Sequence, residues 1–109
     1  MSHNYDAQRR ETFETFEQAA KDRVQLPKSS VVEFIFLLEE TDAKWGAFEK
    51  ALRTKGFTPR RDSDGMTMIA AYGPIPITAE AIWEQERIAT EVAVGFDFYP
   101  DGWDLGEKD

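Results

Sequence analysis

The run Val31–Leu38, VVEFIFLL, restricts the fold more than any other stretch of the chain. It is too short to cross a bilayer, which takes about 20 residues, and its β-branched and aromatic side chains favour a strand over helical turns. Alternation places Val32, Phe34, Phe36 and Leu38 on one face and Val31, Ile35 and Leu37 on the other, with Glu33 among the second set. Both faces need cover, so the strand belongs inside a sheet that carries helices on at least one side.

A chain of 109 residues suits one modest core, and with 41% hydrophobic and 31% charged residues it has the balance of a folded globule rather than a disordered segment. Cysteine is absent, which removes disulfides and thiolate chemistry and agrees with a reducing compartment. The opening MSHNYDAQRRE lacks the apolar centre of a secretory signal, so the expectation is a cytoplasmic protein without membrane contact. Twenty-one acids against 13 bases leave a net charge of −8. A field of that sign disfavours direct nucleic-acid binding and favours a basic protein partner.

Residues 5–24 have helical spacing, with Phe13, Phe16, Ala20 and Val24 as a narrow apolar stripe, Asn4 as cap and Pro27 as terminator. A helix with so few anchors must dock, either on the second face of the central strand or on another copy of the chain. After the strand, Thr41 or Asp42 caps a helix over Ala43–Lys55 that buries Trp45, Phe48, Ala51 and Leu52 and ends at Gly56. Phe57–Arg61 and Met66–Tyr72 then form a hairpin around Asp62-Ser63-Asp64-Gly65, and Pro59 sends the first of these strands to an edge. Gly73–Ile77 reads as a stiff connection to Thr78, the cap of a helix reaching about Ala93. The apolar face of that helix holds Ala81, Ile82, Ile88, Ala89, Val92 and Ala93, with Gln85 in its middle. A short strand over Phe96–Tyr99 stops at Pro100, and Asp101-Gly102 turns the chain toward Trp103.

A helix followed by β-α-β-β-α-β predicts an α+β, ferredoxin-like sandwich. Its four-stranded antiparallel sheet has the order 4-1-3-2, with both internal helices on one face. That order centres the two most apolar strands and leaves the Pro59-bearing strand and the short final strand at the edges. Residues 1–28 are then an added helix and linker, residues 29–109 the ferredoxin-like unit, and the added helix is the available lid for the open sheet face.

Reactive constellations are sparse. His3 is the sole histidine, and its place near the chain start leads to the expectation that nothing fixes it. Glu39, Glu40 and Asp42 at the end of the central strand could bind a cation and support a small metal-dependent hydrolase, against the plainer reading of helix-start acids. Asp62 and Asp64 lack the later ligands of a calcium loop, and Asp97, Asp101 and Asp104 have no base beside them to make a nucleophile. No phosphate loop, serine elbow or zinc spacing occurs. An RNA-stacking sheet would need more cations than Arg60 and Arg61 around Phe34 and Phe36. The expectation is therefore no catalytic, cofactor or metal residues. Trp83 lies opposite the apolar face of its helix and contacts the first helix, a partner or its own surface; Trp103 either plugs the sandwich or serves recognition.

The run Phe96–Trp103 (FDFYPDGW), with WGAFE at residues 45–49, Leu52 and Gly56-Phe57, resembles the regulator of ribonuclease activity B family over roughly residues 31–104. Pro100 stands where that family commonly has tyrosine before Asp-Gly-Trp. The resemblance implies a ferredoxin-like, non-enzymatic protein that inhibits ribonuclease E by binding it, and its Asp-Gly-Trp falls on Asp101, Gly102 and Trp103; with Trp83 and Asp104, singled out by their own positions, these are the partner-binding candidates. The rival readings are a dimeric structural or ligand-sensing module built on an open sheet face or edge strand, and the metal-dependent hydrolase.

Overall fold

The computed structural model describes residues 3–39 and 42–106. Its elements are α1 (Tyr5–Lys21), β1 (Ser29–Leu38), α2 (Trp45–Thr54), β2 (Thr58–Arg61), β3 (Thr67–Pro76), α3 (Ala79–Val94) and β4 (Phe98–Leu105). The sheet is antiparallel in the order β2-β3-β1-β4, the arrangement expected from the distribution of apolar and proline residues. No helix among the described residues is long and apolar enough to cross a membrane.

Alternation along β1 divides the sheet into two unlike faces. Val32, Phe34 and Phe36 are at most 1% exposed, beneath α2 and α3, whereas Val31, Ile35 and Leu37 are half-buried on the other side. Phe48 of α2 anchors the sealed face: its ring lies 6.0 Å from Phe36 and 4.5 Å from Phe98, and Trp45 meets Phe98 edge-on at 5.0 Å. Phe34 meets Phe57 at 6.1 Å, and Phe57 meets Tyr72 at 5.0 Å, so the aromatic packing reaches the far strand.

Several expectations need correction. The lid is misplaced: α1 does not cover the open sheet face but lies antiparallel against α3, in the helix layer. Its buried residues are Gln8 and Thr12; of the expected stripe Phe16 packs against the core, while Ala20 is exposed and Val24 lies beyond the helix, because docking is largely polar. Asn4 does cap it, accepting from Ala7 N–H at 2.9 Å. The helix α2 begins after Lys44 without a side-chain cap, so Asp42 is not its cap; Trp45 packing on Phe98 sets the first turn. Thr41 and Glu40 lie outside the described residues. Thr78 caps α3 through Ala81 N–H as expected.

Two strands run further than their prolines suggested. The stretch through Gly73-Pro74 remains in β3, pairing Ser30 with Ile75 and Ser29 with Pro76 after a bulge. Gly73 has φ +127, and a Cβ there would sit 3.0 Å from Ser30 carbonyl oxygen, so glycine permits this close approach. Likewise β4 does not stop at Pro100. Leu38, Phe36 and Phe34 direct their backbone groups to β3, as the Leu38 N–H bond to Met66 shows, so Pro100 opposite Phe36 needs no donor. Pro59 obeys the same rule at the outer edge of β2.

Packing of this kind makes the two faces energetically unequal. Phe48→Ala should lower the unfolding free energy by about 3–5 kcal/mol, whereas Ile35→Ala on the uncovered face should cost about 1 kcal/mol. Urea unfolding of both variants checks this, and equal losses would contradict the assignment of faces.

Candidate functional site

Phe36 pairs with Pro100 and Phe34 with Trp103, so the single residue between them on β1, Ile35, opposes two on β4, Asp101 and Gly102. The extra residue is a bulge at Asp101-Gly102, with Gly102 at φ +97. It is not the strand-ending turn that the Asp-Gly pair suggested. Without it, the alternation set by Phe98 and Pro100 would send Trp103 to the open face; with it, Trp103 and Leu105 return to the helix side.

There Trp103 meets α1. Its ring stacks on Phe16 with centroids 5.8 Å apart, and its Nε1–H donates to Thr12 Oγ1 at 3.2 Å. Thr12 in turn donates to Glu86 Oε1 at 2.5 Å, while Gln8 Nε2 donates to Glu86 Oε2 at 3.2 Å and to Thr90 Oγ1 at 2.9 Å. His3 Nε2 closes the outer end of the network on Gln8 Oε1 at 2.6 Å. One polar latch thus joins α1, α3 and β4. Glu86 is 4% exposed, and burial pushes its carboxyl above the ordinary glutamate value of 4.5 although Thr12 and Gln8 bond to it; the charge of Glu11 adds to the rise.

Beside the latch runs a groove of about 390 Å³, walled by Glu11, Thr12, Thr15 and Leu26 on one side and by residues 102–105 on the other, with Glu86 at its base. A hollow of about 230 Å³ continues it past Gln8 and Pro100, sharing Glu11, Glu86 and Gly102. Among the described residues the walls carry Glu11 and Asp104 but neither lysine nor arginine.

Of the residues singled out from sequence, Gly102, Trp103 and Asp104 line this groove; Asp101 is exposed beside them at the bulge. Trp83 is half-buried on α3 and does not line it. Sequence reasoning missed Gln8, Thr12 and Glu86. The signal was present as polar pairs at helical spacing, Gln8 with Thr12 and Glu86 with Thr90, but it acquires meaning only when the two helices face each other. Glu39 and Asp42 are exposed, and no group of three or more acids or histidines among the described residues is placed to hold a metal ion. Asp97 and Asp104 fall near opposite ends of β4 and form no cluster with Asp101.

Burial makes Glu86 harder to ionise in the folded protein than in the unfolded chain. Its protonated form favours the folded state, so this contribution is complete below the ordinary glutamate range and is lost as pH rises through the elevated value. Glu49, held low by a hydrogen bond from Arg61, and Asp64, held low chiefly by Met66 N–H, act in the opposite sense, so the variant must be compared with the wild type. Glu86→Gln should therefore gain stability relative to the wild type as pH rises from about 4 to about 7. Parallel unfolding curves across that range check it; a constant difference would mean that Glu86 does not titrate in the latch.

A family model described as RraB, regulator of ribonuclease activity B, matches residues 9–105, from within α1 to the end of β4. No curated protein gives a significant match. With the match spanning the helix, the sheet and the Asp-Gly-Trp bulge alike, the chain belongs to the regulator of ribonuclease activity B family, whose members regulate by binding rather than by catalysis.

Proposed function

We propose that this chain restrains ribonuclease E, or another component of RNA turnover, by covering a basic segment of that protein. The observation that carries the reading is the groove between α1 and β4, which belongs to a chain of the regulator family and offers acids beside the Trp103 ring, with neither lysine nor arginine among the described residues of its walls. Glu11, Asp101 and Asp104 would steer the segment, Trp103 would supply apolar contact, and Trp83 on the neighbouring helix would extend it. Regulation then arises because the covered segment no longer reaches RNA or its scaffold partners.

Titrating the protein into a ribonuclease E cleavage assay, alongside direct binding, should show inhibition that weakens with salt and falls about tenfold or more in the double variant Glu11→Lys, Asp104→Lys. Absence of binding at about 10 µM would remove that partner.

The uncovered sheet face favours a second reading, a homodimer. Ile35 and Leu37 are half-buried there, Tyr99 is 43% exposed on the same face, and Met66 at the adjoining strand end is 57% exposed. A copy packed on this face predicts a dimer mass in solution that Leu37→Asp converts to a monomer mass. A monomer mass for the wild type would exclude that dimer.

A further inference from the structure

We propose that the outer edge of β4, from Trp103 to Leu105, is a strand-addition site for an extended basic segment of a protein partner. This deepens the reading above and rests on it for the identity of the partner, but the geometry stands separately. Because Val32 and Phe34 direct their backbone groups to β3, the residues opposite them on β4, Leu105 and Trp103, turn their N–H and C=O groups away from the sheet. Gly106 N–H bonds Val31 carbonyl oxygen, which fixes the same phase at the strand end. Leu105 N–H, with no neighbouring strand among the described residues, takes Asp104 Oδ1 at 3.0 Å instead. An incoming carbonyl would replace that carboxylate and free it for a lysine or arginine of the added segment.

The surroundings select the occupant. An added strand lies about 4.8 Å from β4, in the groove whose far wall is α1. Its side chains would alternate between the Glu11, Leu26 and Trp103 side and the Asp104 side. Pro100 removes the donor at the preceding outward position, so addition is confined to the stretch after the bulge, where Gly102 leaves open space. A second copy pairing through its own β4 would bring Asp101 and Asp104 toward their equivalents, a like-charge arrangement that opposes sheet formation. A cationic, extended segment meets no such obstacle.

The probe is a decapeptide of alternating lysine and valine, with an alternating glutamate and valine peptide as control, followed by amide resonances and hydrogen exchange at low salt. The lysine peptide should shift Trp103 and Leu105 amides and slow their exchange about tenfold or more, and the glutamate peptide should not. Leu105→Pro, which removes one outward donor from an edge that already holds a proline, should weaken peptide binding about tenfold, while Leu105→Ala should not. Shifts confined to other surfaces, no binding of the lysine peptide, or equal binding by Leu105→Pro would overturn strand addition. If ribonuclease E binds the wild type and Leu105→Pro equally, strand addition fails and the regulator reading survives. If the peptide adds to β4 but ribonuclease E does not bind, the edge stands and that partner falls.

Discussion

The packing of Phe34 and Phe36 beneath Phe57 and Phe48 sets the phase of the sheet, and the remaining elements accommodate it. Side chains alternate with a period of two, so a strand that pairs with β1 inherits a buried face and an open face from it. On the sealed side the rings interlock at edge-on and tilted angles, a geometry that one-residue slippage would destroy. β4 meets this constraint twice, before and after Gly102, and only an extra residue lets Phe98 and Trp103 face the same layer. The bulge is therefore the device that connects the core to the surface where α1 docks.

That docking uses polar groups where a small protein would be expected to use apolar ones. A continuous series runs from Trp103 Nε1 through Thr12 and Glu86 to Gln8 and Thr90, and each buried side-chain polar atom among the described residues has a hydrogen-bond partner. Satisfied networks of this kind contribute little net free energy compared with an apolar interface, but they admit few arrangements, because any shift leaves a buried donor or acceptor unpaired. The latch thereby fixes the height of α1 against α3, and with it the width of the groove along β4. Glu86 is the sensitive member, being a carboxyl buried without a cation.

Charge and edge chemistry separate the two ends of the sheet. The β2 end carries Arg60 and Arg61, paired with Glu33 and Glu49 at 2.8 and 2.9 Å, and Pro59 occupies the outward position of this short strand. Such exposed pairs add little stability, but they neutralise the surface. The β4 end carries Asp101 and Asp104, which form no ion pair among the described residues, and is protected by proline only before the bulge. Natural sheets commonly blunt both edges against unwanted pairing. Here the unguarded portion coincides with the acid-lined groove.

The order of the elements, the central place of Val31–Leu38, the edge position of the Pro59 strand and the caps Asn4 and Thr78 were all legible in the chain, because each follows from local backbone chemistry or from period-two and helical patterning. The Asp-Gly-Trp run was legible as a feature of interest, though its role was misread. Glycine at positive φ serves a turn and a bulge equally well, and only the strand alongside distinguishes them. The berth of α1 could not be read at all. Its apolar stripe pointed to an apolar surface, whereas the residues that became buried, Gln8, Thr12, Glu86 and Thr90, are separated by up to 82 positions and become compatible with burial only through one another's hydrogen bonds. Local sequence thus determined which segments became strands and helices and which strands lay inside; tertiary structure alone decided where the first helix docked and that Trp103 faced it, since both depend on pairings between groups remote in the chain.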